Sequence, residues 1–159
     1  MAAEPAKPAR WRSSAGLRRL PDPSVPNMNA KPLIIFDGEC ALCSASVEFV
    51  IARDRRCRFR LTTAQSPVGR QAYVDHDLDP DAMATMIVIA DGRAHTESEA
   101  ILAMLQRLGW PWRAAVALRV VPPSLRNRAY RWIARNRYRW VPRRETCWTP
   151  APEVRDRVV

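Results

Sequence analysis

No run of apolar residues in this chain of 159 reaches the ~18 that a membrane-crossing helix needs. The first 28 residues carry five prolines and lack the apolar stretch of a secretory signal. A reducing compartment, the cytoplasm, is therefore the expected location. Only four cysteines are present, and in such a compartment they point to catalysis or metal binding before structural disulfides. Histidine is scarcer still. His76 falls in an acidic loop and His95 near a hairpin, and both read as ordinary surface or hairpin residues. There is no HxxxH pair, no second CxxC and no internal repeat. What the chain does have is 47% apolar residues, enough for one cored domain with extensions.

The net charge of +10 is unevenly spread. Residues 1–28 hold five Lys/Arg against two acids, and residues 29–109 nine against eleven. Residues 110–159 hold twelve arginines, no lysine and three acids. The basic character thus belongs mainly to the last third, so generic nucleic-acid binding does not describe the whole chain. Residues 1–28, rich in Pro, Ala and Arg, are expected to form a disordered arm. Met28, immediately before the expected fold start at Asn29, is a candidate initiator.

From Lys31 the pattern alternates between strand and helix. Leu33–Phe36 reads as a buried strand, 44–53 as a helix and 58–61 as a short strand. Residues 68–74 suggest a helix and 85–90 a β-branched strand. Asp91-Gly92 is a hairpin turn leading into 93–95. Thr96-Glu97-Ser98-Glu99 has the form of a capping box before a helix over 100–108, which Gly109 stops. A short helix over 113–121 should end at Pro122-Pro123. Ser124 is then placed to cap a helix over 125–140. On that last helix Arg128, Arg131, Arg135 and Arg139 fall on one stripe, while Leu125, Ala129, Trp132, Ile133 and Trp140 gather on another side. The expectation is an aromatic face packed on the domain and arginines in solvent. With Cys40-Ala41-Leu42-Cys43 after the first strand and a late hairpin and closing helix, the predicted fold is a single thioredoxin-like α/β core over residues 29–109, with a basic helical extension, 110–159, packed on it.

Asp37-Gly38-Glu39-Cys40-Ala41-Leu42-Cys43 falls between the first strand and the first helix. Two thiols three positions apart at a helix N-terminus suit reversible disulfide chemistry. The unpaired N–H groups and the helix dipole favour thiolate, and thiolate is the nucleophile. Cys40, more N-terminal and expected to be the more exposed, is the candidate attacking thiol. Cys43 is the candidate resolving thiol. Asp37 stands either as a proton acceptor or as a strand-end cap of the following turn. Asp37 and Glu39 add negative charge, so the Cys40 pKa should be lowered moderately at most. Gly38 should supply a tight turn that exposes the site. Cys57 reads as a small buried hydrophobe, and Cys147 as a thiol that nears the site only if the tail folds back.

Phe36–Cys43, together with Ser98-Glu99-Ala100, Tyr130–Tyr138 and Cys147 before Pro150, resembles the DCC-type thiol-disulfide oxidoreductases over roughly residues 32–157. The resemblance implies a thioredoxin-like fold and thiol redox chemistry. It departs from true thioredoxins in having no Trp before Cys40 and Ala41-Leu42 between the cysteines. No proline precedes the strand at Met86, and Thr85 or Met86 takes that place. The expectation is thus thiol redox chemistry in general. It calls for a protein or small-molecule thiol or disulfide as substrate, a separate reductant and no cofactor.

Two other readings compete. Cys40 and Cys43 supply half of a zinc or iron–sulfur set, which Cys57, Cys147 or a histidine would have to complete. The arginines and tryptophans of the last third offer a surface for nucleic acid or anionic membrane. Against the second stands the ordinary account of a basic stripe as a solvated face.

Overall fold

A computed structural model describes residues 31–83, 85–141, 143 and 145–159. The expected arm and the candidate initiator Met28 lie outside the described residues. Strand β1 (Leu33–Phe36) leads into helix α1 (Ala41–Arg53), strand β2 (Arg60–Thr63) and helix α2 (Pro67–Asp75). Strands β3 (Ile87–Ala90) and β4 (Arg93–Thr96) form a hairpin followed by helix α3 (Glu97–Leu108). A 3-10 segment, Trp112–Val120, precedes helix α4 (Pro123–Trp140), and a second, Pro152–Arg157, closes the described chain.

The sheet order is β2-β1-β3-β4. Strand β1 runs parallel to β2 and antiparallel to β3, and β3 is antiparallel to β4. A parallel βαβ unit followed by an antiparallel hairpin and a closing helix is the thioredoxin-like arrangement. Both faces of β1 are buried because successive side chains alternate. Ile34 and Phe36 meet Val47 and Val50 of α1 and Ala100, Ala103 and Met104 of α3. Ile35 faces the other way, toward Ala72 and Tyr73 of α2. The tail adds Trp148 and Val154 to the first of these clusters. Its last residue pairs with β2, where the Val159 N–H donates to the Leu61 carbonyl at 3.0 Å.

Local chemistry sets the boundaries. Asp91 and Gly92 take positive φ values of 52° and 69°, the left-handed geometry of a tight hairpin turn. Strand β2 starts two residues later than expected. The Asp54 carboxylate accepts from the Arg58 and Phe59 N–H groups at 2.7 and 3.1 Å and holds them in a loop. Ser66 caps α2, accepting from the Gly69 N–H at 2.9 Å. The expected capping box does not form. Thr96 makes no side-chain cap, and the Glu97 N–H instead donates to the Thr85 hydroxyl at 3.0 Å.

The inward face of α4 differs from expectation. Leu125 (59%), Trp132 (60%), Ile133 (44%) and Trp140 (53%) are exposed, while Arg137 is buried at 8%. The reason is the charge beneath the helix. Glu97 and Glu99, at the start of α3, and Asp37, at the end of β1, present carboxylates that need cations. Arg131 bonds Glu97 at 2.6 Å, and Arg126 reaches Glu99 at 3.2 Å. Tyr130 accepts from the Met86 N–H at 3.2 Å, and Arg137 pairs with Asp37 at 3.1 Å. Helical spacing sets these polar groups on one side and turns the aromatic side outward.

Candidate functional site

The dithiol lies at the junction of β1 and α1. Helix α1 begins at Ala41, three residues before the expected start, so Cys40 is its N-cap. The Cys43 N–H donates to the Cys40 Sγ at 3.2 Å, as a capping serine would accept. Both cysteines are free thiols. The hydrogen bond from the Cys43 thiol lowers the Cys40 pKa from an ordinary 9.0 to about 6. Burial opposes this shift, the Cys43 N–H and the Arg137 charge assist it, and the Asp37 charge opposes it. The Cys43 thiol is pushed up, first by its bond to Cys40, then by burial and by the Cys40 charge. One thiol is thus set as thiolate and the other as its proton-bearing neighbour.

Asp37 is buried and its carboxylate is fully occupied. One oxygen accepts from the Gln65 side chain at 2.8 Å and from the Glu39 N–H at 3.0 Å. The other accepts from Arg137 at 3.1 Å and from the Tyr138 hydroxyl at 2.7 Å. Arg137 also donates to the Met83 carbonyl at 3.2 Å and lies 3.9 Å from the Cys43 sulfur. Among the described residues its Nε and the Ser44 hydroxyl are buried and unpaired. Arg137, Tyr138 and Gln65 were not singled out as site residues by the sequence. The first two lie within the arginine-rich Tyr130–Tyr138 stretch, where no local pattern separates one arginine from the next.

Cys40 is 1% exposed and Cys43 is half-buried, the reverse of the expected order. The cause is the segment after α4, which folds back across the site. Arg143 forms a β-bridge with Cys40, and the Trp148 N–H donates to the Gly38 carbonyl at 2.9 Å. The Trp148 ring stands edge-on to Phe36 with centroids 5.2 Å apart, and its Nε1 donates to Glu48 at 3.2 Å. Arg143 reaches Glu39 at 3.6 Å. This return brings Cys147 beside the site, and it explains Gly38. A Cβ there would stand 2.6 Å from the Cys147 sulfur and 2.9 Å from a Thr63 methyl. Gly38 therefore admits the returning segment by its lack of a side chain and does not open the site.

The other candidates lie elsewhere. Cys57 is exposed, with a positive φ of 48° and its sulfur against Arg157, so it is not a buried hydrophobe. His76 is the C-cap of α2, and His95 lies on β4. Thr85 and Met86, the two candidates for the place of a thioredoxin proline, are buried and both bonded to the Tyr130 hydroxyl. Among the described residues no three His, Cys, Asp or Glu side chains converge as a metal site. No helix among them is long and apolar enough to cross a membrane.

Fold and site together define an α/β protein of thioredoxin-like arrangement with a dithiol at a helix N-terminus. The family model of the DCC1-like thiol-disulfide oxidoreductases matches residues 34–143, and the chain belongs to that family. It is 34% identical over 125 residues to the uncharacterized protein YuxK of Bacillus subtilis, covering 79% of this chain and 91% of that one. It is 30% identical over 108 residues to the chloroplastic DCC family protein At1g52590 of Arabidopsis thaliana, covering 67% of this chain and 63% of the relative. No solved structure matches it.

Proposed function

We propose that this protein exchanges dithiol for disulfide through Cys40 and Cys43. The observation that carries the reading is the placing of the pair, with Cys40 the N-cap of α1 and its sulfur accepting the Cys43 N–H at 3.2 Å, which favours thiolate at Cys40 and keeps the proton on Cys43. The Cys40 thiolate attacks one sulfur of a substrate disulfide. The other substrate sulfur leaves as thiolate and takes a proton from solvent. Cys43 then gives up its proton and attacks the Cys40 sulfur, which frees the second substrate thiol and leaves a Cys40–Cys43 disulfide. An external dithiol reductant returns both electrons and both protons.

Arg137, 3.9 Å from Cys43, favours the anion that forms there during resolution. Asp37 acts in this scheme as a positioning residue. Its four hydrogen bonds among the described residues hold Arg137, Tyr138, Gln65 and the turn, which supports the cap reading over proton acceptance. In a reducing cytoplasm the pair would be kept as dithiol and would reduce protein or small-molecule disulfides.

Redox titration in glutathione buffers tests the proposal, with each cysteine read by alkylation and mass spectrometry and metal content assayed on the same sample. A reversible Cys40–Cys43 disulfide with a defined potential supports it. Thiols shielded by stoichiometric metal until chelation would replace it with a metal module. For Asp37, Asp37→Asn should shift the pH profile of Cys40 alkylation. An unchanged profile would reduce Asp37 to a structural cap.

A further inference from the structure

We propose that the outward face of α4 docks on an anionic lipid surface. The polar row beneath the helix fixes which side faces out. Arg131 on Glu97, Arg126 on Glu99, Tyr130 on Met86 and Arg137 on Asp37 pin it along its length. The side away from these contacts carries Leu125 and Trp132, with Ile133 and Trp140 at its margin, each at least 44% exposed. Arg128, Arg135 and Arg139, all exposed, flank these side chains along one edge. A shallow groove beside them is lined by Leu125, Arg128, Ala129, Trp132 and Arg135, and Arg131 borders it on the side of Glu97. Helix α4 contains six arginines and no acid over its 18 residues, about 27 Å of helix at 1.5 Å per residue.

The chemistry selects among occupants. Exposed aromatic and aliphatic side chains beside a row of cations match a bilayer interface, where rings sit at headgroup depth and guanidinium groups meet lipid phosphates. Single-stranded nucleic acid would use the arginines, but Leu125 and Ile133 give it nothing to pair with. The Trp132 and Trp140 rings, 5.2 Å apart and inclined at 57°, are no parallel platform for successive bases. A second copy seated face to face would bring the same three arginines together with no carboxylate on the helix to meet them.

The test is co-sedimentation of the full chain with large unilamellar vesicles of phosphatidylcholine alone or with 30% phosphatidylglycerol. Binding to the anionic vesicles and not to the neutral ones is expected. Each arginine near such a surface contributes about fivefold, so the neutralised variant R128Q/R135Q/R139Q should bind on the order of 100-fold more weakly. Trp132→Ala/Trp140→Ala should weaken binding and abolish quenching of tryptophan emission by nitroxide-labelled lipid. Thermal melts of both variants check that these exposed changes leave the fold intact. The proposal falls if the full chain ignores anionic vesicles at low salt, or if the triple variant binds as well as the parent. It falls equally if an RNA oligonucleotide is bound and vesicles are not, or if the face only drives concentration-dependent dimerisation.

Discussion

Replacing Arg137 by glutamine tests the account of the site most directly. The guanidinium side chain is 9% exposed and its Asp37 partner 2% exposed. Removing one member of a buried pair leaves an uncompensated charge, which costs about 3–5 kcal/mol. Asp37 keeps its bonds from Tyr138, Gln65 and the Glu39 N–H, so the lower end applies, about 3 kcal/mol. For a chain of this size each kcal/mol moves Tm by about 2–4 °C, giving a fall of about 6–12 °C. Urea unfolding of the reduced protein, followed by tryptophan fluorescence, measures the loss. Asp37→Asn with Arg137→Gln removes both charges together and should recover most of it. A single-variant loss under about 1 kcal/mol, the level of an exposed ion pair, would refute the argument. So would a double variant no more stable than the single one, including the case where neither folds.

Alkylation of Cys40 in the native protein should follow a pKa near 6, and Arg137→Gln should move that midpoint upward because a neighbouring cation is lost. The stability of the reduced protein should rise with pH between about 6 and 9. The Cys40 pKa is depressed in the fold, so its contribution is full above 9.0 and lost as pH falls through 6. The span is at most about 4 kcal/mol, and Cys40→Ala should flatten it. Above pH 9 the raised Cys43 turns the curve down, since the fold resists its ionisation. Trp148→Ala should cost about 3–5 kcal/mol and speed Cys40 alkylation by releasing the segment above it, as unfolding titrations and stopped-flow labelling would show. In the parent, at a pH where Cys40 is ionised, Cys147 should still label before the buried Cys40.

What the sequence revealed was local. The β1 run, the Asp91-Gly92 turn and the CxxC directly after β1 each depend on a few adjacent residues, and each is found where expected. Strand β2 slipped by two because Asp54, four and five residues upstream, holds Arg58 and Phe59 off the sheet. The orientation of α4 is set from farther away. Periodicity found its apolar side, but three carboxylates on other elements decide which side is inward. Arg137 was indistinguishable from its neighbours because its partner is 100 residues away. The burial of Cys40 and the placing of Cys147 follow from the same distant return of the tail.

That return also sets an order in time. Asp37 waits for Arg137 and Tyr138, 100 and 101 residues later, and β2 waits for Val159. Closing a loop of that length costs about 4 kcal/mol of chain entropy before any contact repays it. On the ribosome the chain emerges N-terminus first. Cys40 and Cys43 are therefore synthesised early, while the groups that bury one and charge the surroundings of both arrive last. A nascent or truncated chain carries an open pair without the Arg137 cation, and the shielding of Cys40 is a property only of finished molecules.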